Sequence, residues 1–135
     1  MRTRSLLFSL PLLVLGAAGC GGGSLTLDMA EDNNSGQAGT AVLTEDGDVL
    51  EVVLDLTVGN ATAAQPAHIH TGTCADLGGI LYGLRDVEMG KSTTRIEPFE
   101  GQPLRLSELL ETPHAINVHS AADHTVYVSC GDIIR

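Results

Sequence analysis

From Val49 to Val58 the chain alternates without a break: Leu50, Val52, Leu54, Leu56 and Val58 fall on one side, and Val49, Glu51, Val53, Asp55 and Thr57 on the other. Successive side chains of a strand point to opposite faces, so this decade presents a uniformly apolar face to a core and a mixed face to water. Just before it, apolar Ala41 to Leu43 and a turn at Glu45 to Asp48, centred on Asp46-Gly47, complete the pattern of a hairpin. Other short alternating stretches follow the same rule. "SLTLDMA" reads as a first strand, and "PAHIH", "ILYGL", "KSTTRIEPF", "HAINVHS" and "TVYVSCGDI" as later ones. Between them "LRLSELLE", with leucines at 104, 106, 109 and 110, suits one or two helical turns. Short strands separated by turns, with no βαβ rhythm, predict an all-β antiparallel sandwich with one short helical turn.

The first residues have a different character. Arg2 and Arg4 precede an apolar run from about Leu6 to Leu15 and small residues before Cys20. That is the layout of a secretory signal over 1–19, its apolar run well short of the roughly 20 residues that span a bilayer. "AAGC" followed by "GGGS" resembles a bacterial lipobox, in which Cys20 becomes the acylated first residue of the mature chain. The predicted organisation is therefore a signal peptide at 1–19, an anchored N-terminus with tether and first strand at 20–37, and a sandwich domain at 38–135. It places the protein outside the cytoplasm, on a membrane through its lipid. Removing residues 1–19 leaves 5 basic against 17 acidic side chains, a formal net charge of about −12. Such a charge disfavours nucleic acid and anionic membrane surfaces as partners. No protein partner is legible.

With Cys20 acylated, Cys74 and Cys130 remain. In an oxidising compartment an even pair suits a disulfide, and two free buried thiols are the alternative. The mature chain has three aromatic residues (Tyr82, Phe99, Tyr127) and no Trp, so its core is aliphatic and small, and a covalent staple would matter.

The histidines carry the chemistry. In "PAHIH", His68 and His70 share one strand face, about 6.5–7 Å apart at Cα, with Ile69 on the other. In "HAINVHS", Ala115, Asn117 and His119 share a face and Ile116 and Val118 oppose them. Three strand histidines supply three nitrogen ligands, enough for copper or zinc with an open position. The bland alternative is three hydrogen-bonded structural histidines. His124, in the turn after His119, is a candidate fourth ligand, and His114, after Pro113, reads as structural. No GxSxG, HExxH, CxxC or phosphate-binding glycine loop is present, so no catalytic residue is assigned.

Taken in order, "AHIHTGTC", "CADLGGILYGL", "AINVHS" and "YVSCGDI" resemble both the Cu,Zn superoxide dismutase sandwich and the CHRD (chordin-type) domain, over roughly Val42 to Ile133. The resemblance implies a Greek-key β-sandwich, a Cys74–Cys130 disulfide and copper ligands at His68, His70 and His119. Where dismutases carry a bridging histidine this chain offers Ile80. The stretch from Ile80 to Lys91 is too short for a zinc loop, and Tyr127 stands where a guiding arginine is expected. Zinc is therefore not expected. The CHRD comparison fits better: such domains keep "HIH" and "NVH" and have no established enzyme chemistry. The expectation is a lipid-anchored extracytoplasmic module with one copper ion. Copper-only superoxide dismutation, and a metal-free interaction module of the envelope, are the alternatives.

Overall fold

The computed structural model describes residues 22–135, so the signal peptide expected at 1–19 and the expected acylation site Cys20 lie outside the described residues. Eight antiparallel strands form one curled sheet: β1 (Ser24–Glu31), β2 (Gly39–Asp46), β3 (Val49–Leu56), β4 (Ala67–Thr73), β5 (Asp76–Gly83), β6 (Lys91–Ile96), β7 (His114–His119) and β8 (Tyr127–Asp132). One short helix, α1 (Leu106–Glu111), lies between β6 and β7. The strand order is β5-β4-β7-β8-β1-β2-β3-β6.

β1 is where the sheet curls. Its residues from Ser24 to Met29 pair with β2, while Ala30 and Glu31 pair with Cys130 and Ser129 of β8. Two layers result, β1-β2-β3-β6 and β5-β4-β7-β8, and the chain crosses between them after β3, after β5 and after β6. This is the expected Greek-key sandwich.

The alternation decides which face is buried. Leu50, Val52, Leu54 and Leu56 of β3 are all buried, as predicted, and Val58 lies just past the strand, half-buried. Each such aliphatic side chain contributes about 1.5–3 kcal/mol when withdrawn from water. They meet Leu27, Met29, Ala41 and Leu43 from their own layer and Ile69, Ile116, Val118 and Val128 from the other. The β2–β3 turn is the two-residue Gly47-Asp48, one position later than the sequence suggests, with Gly47 at φ +63. That positive φ is what a two-residue hairpin loop demands at its first position. Leu104, Leu106 and Leu109 bury under α1, with Leu110 half-buried beside them. The backbone nitrogen of Leu106 donates to Glu45 Oε1 at 2.8 Å, which ties the helix start to β2.

The disulfide Cys74–Cys130 is formed, with Cα atoms 5.8 Å apart. It runs from the β4–β5 turn to β8 and therefore spans β7, the strand between β4 and β8 in the sheet. Asp132 Oδ1 on β8 accepts a hydrogen bond from the Cys74 nitrogen at 2.7 Å and reinforces the same link.

Candidate metal centre

The site grows from the pairing of β4 with β7. His68 faces Asn117 across the ladder, Ile69 faces Ile116, and His70 faces Ala115. Directly opposed residues share a sheet face. Ile69 and Ile116 thus enter the core, both fully buried, while the histidines take the outer face. His119 lies two residues beyond Asn117 on that face, diagonal to His68, and its nitrogen donates to the Pro66 carbonyl at 2.8 Å. The three rings converge, with centroids 4.9 Å apart for His68–His119, 5.6 Å for His68–His70 and 5.8 Å for His70–His119. One ring nitrogen from each lies within 4.8 Å of the other two.

Backbone carbonyls aim two of the rings. The Gly78 carbonyl on β5 accepts from His70 Nδ1 at 3.0 Å, and the His124 carbonyl accepts from His119 Nδ1 at 2.6 Å. A carbonyl only accepts, so both rings carry their proton on Nδ1 and present a bare Nε2 lone pair. Metal-binding histidines are held in this way by a partner on the second nitrogen. His70 Nε2 is buried and has no hydrogen-bond partner, an expensive arrangement for a polar atom unless something binds it. Asn117 Oδ1, on the same face, is the other such atom among the described residues.

Metal–nitrogen bonds of about 2.0–2.1 Å place ligand nitrogens roughly 3.3–3.6 Å apart. His68 Nδ1 and His119 Nε2 are 3.0 Å apart and no pair exceeds 4.8 Å, so shifts of about an ångström would close the set around one ion. Burial holds the His68 ring below its ordinary pKa, with the neighbouring His119 and His70 adding to the effect. Burial likewise lowers His119, against the opposing pull of its bond to the His124 carbonyl. Both shifts favour the neutral imidazole that coordinates metal.

Of the sequence-predicted residues, His68, His70 and His119 come together. His124 reaches the cluster through its carbonyl, and its exposed ring is not among the converging nitrogens. His114 is buried apart from them, its Nδ1 facing the carbonyls of Leu109 and Thr112 at 3.0 and 2.8 Å. Tyr127 packs edge-on against His119 with centroids 5.2 Å apart. Ile80 pairs with His70 across the β4–β5 ladder and is largely exposed. A surface cavity of about 610 Å³, lined by Thr73, Leu110, His114, Asp132 and Arg135 among others, does not include the three histidines.

The sequence reading missed the Gly78 carbonyl. Its one signal is Gly78 itself, where a Cβ would lie 2.3 Å from Thr71 Oγ1. The same Cβ would lie 3.1 Å from the Thr71 carbonyl oxygen, so a larger residue here requires Thr71 or β5 to shift.

The sequence profile of the CHRD domain matches residues 24–125. The chain belongs to the CHRD domain family. The match takes in all three converging histidines and Cys74, and stops before Tyr127 and Cys130. No curated protein matches the chain. CHRD domains are extracellular, and the internal disulfide of this one is consistent with an exported protein. Among the described residues no helix is long and apolar enough to cross a membrane.

Proposed function

We propose that this CHRD domain is an extracytoplasmic module, lipid-anchored through Cys20, that binds one copper ion through His68 Nδ1, His70 Nε2 and His119 Nε2. The observation that carries the reading is His70 Nε2, a buried nitrogen without a partner, on a ring whose neighbours are two other imidazoles. Three neutral nitrogen donors and no carboxylate suit copper or zinc and exclude the hard cations calcium and magnesium. A bound copper would supply a redox-active centre. The chain's own contribution is to hold two lone pairs in place through Gly78 and His124, and to withdraw the rings from water. Metal analysis of the purified, oxidised domain tests the reading: about one copper per chain is expected, lost in a His70→Ala variant. No copper above background would remove it.

Copper-only superoxide dismutation is a second reading, favoured by the open side of the cluster. Gly83 faces His68 across the ladder, and a Cβ placed there would meet nothing within 4 Å. An assay on the same copper-loaded sample separates the readings, since a module that only binds copper shows only the background rate.

A further inference from the structure

Two of the three histidines are set for an ion and the third is not. His119 Nδ1–H is committed to the His124 carbonyl, so its Nε2 can only accept. His68 Nδ1 lies 3.0 Å from that Nε2. With both rings neutral, the proton between them must sit on His68 Nδ1, which donates. His68 thus points an N–H, not a lone pair, into the place where the nitrogens converge. His70 is the contrast, its proton held outward by Gly78 and its Nε2 bare and unpartnered.

We propose that His68 is an exchangeable ligand. Without an ion, its Nδ1–H closes the cluster by hydrogen-bonding to His119. With an ion, the ring carries its proton on Nε2 and gives the Nδ1 lone pair to the metal. The proton moves from one nitrogen of His68 to the other by exchange with water, and the ring stays neutral throughout. The burial pattern agrees with this division. His70 and His119 are 5% and 7% exposed, whereas His68 is the intermediate one of the three. The backbone pins the two deep rings, and the ring nearest water remains free to change tautomer. The closed pair also sits tighter than an ion allows, 3.0 Å against the roughly 3.3–3.6 Å set by metal–nitrogen bonds. Loading must therefore part His68 from His119, and that step belongs to His68.

The inference rests on the proposed copper site. It is tested on the mature, disulfide-bonded chain, labelled with nitrogen-15, by long-range proton–nitrogen correlation of the imidazoles at neutral pH. Spectra are taken without metal and with one equivalent of Cu(I), which is diamagnetic. Without metal, all three rings should be Nδ1–H. With Cu(I), His68 alone should change to Nε2–H, while His70 and His119 keep Nδ1–H. A His119→Ala variant removes the acceptor and should return His68 to the Nε2–H tautomer with no metal added. Uptake of Cu(I) by a chain whose His68 is already Nε2–H would overturn the exchange and leave the metal site standing. A Nδ1–H His68 in a chain that takes up no Cu(I) would overturn both.

Discussion

Replacing Cys74 by serine cuts the link between the β4–β5 turn and β8 while disturbing little else. Cys74 is half-buried, so a serine hydroxyl there reaches water, and the Cys74 nitrogen keeps its bond to Asp132 Oδ1 because that donor is backbone. Cys130 is left as a buried thiol, which behaves as a small apolar side chain. The bridge joins residues 56 apart. Restricting the unfolded chain over that loop is worth about 14 cal/mol/K, or about 4 kcal/mol at 25 °C. A folded unit of about 110 residues unfolds with an entropy of about 0.24 kcal/mol/K at its midpoint, so the expected fall in Tm is roughly 15–18 °C. Thermal melts followed by circular dichroism measure it, with the fully reduced wild type as a control that should match the variant. A fall of less than about 5 °C would show that the unfolded state is not constrained as argued and that the sheet holds the β4–β5 turn in place without the bond.

Other outcomes follow from the site. His119→Ala should lower copper affinity by more than the roughly 10–100-fold typical of losing an outer partner, whereas His114→Ala should weaken the fold through its lost carbonyl contacts and leave copper binding intact; titration of both variants checks this. Gly78→Ala places a Cβ against Thr71 and displaces the carbonyl that aims His70, so affinity should drop about 10–100-fold with the fold retained. Because folding lowers the pKa of His68 and His119, metal-free stability should be unaffected above about pH 6.5, where both rings are neutral folded and unfolded. Below that the unfolded chain binds protons first, so stability should fall until the folded-state values are passed. Denaturant midpoints measured between about pH 8 and 5 give the sign, and copper affinity should fall over the same range because protons compete for the nitrogens.

The β3 alternation was legible residue by residue because a strand with one buried face leaves no freedom of register. The pairing of His68 with His70 was legible for the same reason. β7 was harder. Its expected polar face, Ala115, Asn117 and His119, is buried along with the rest of the strand. It lies between β4 and β8, and the disulfide-linked turn spans it. That burial comes from a distant segment, not from the alternation of β7 itself. β5 errs the other way, since Ile80 and Leu81 are apolar yet exposed on an edge strand. The aiming of His70 and His119 was least visible of all. It depends on carbonyl groups, which every residue carries, so side-chain identity marks it only at Gly78.

β1 has a further consequence through its two partners. Ala30 pairs with Cys130 and Glu31 with Ser129, contacts about a hundred residues apart along the chain. The layer that carries the histidines therefore joins the β1-β2-β3-β6 layer by ladder hydrogen bonds only once β8 has been made and has found β1. Pairings of such separation raise the contact order and slow folding. The β1–β2–β3 meander can form early from neighbouring segments, whereas the joining of the histidine layer to it has to wait for the last strand. A chain ended before Tyr127 would leave β1 and β7 with open edges, disposed to pair with other chains.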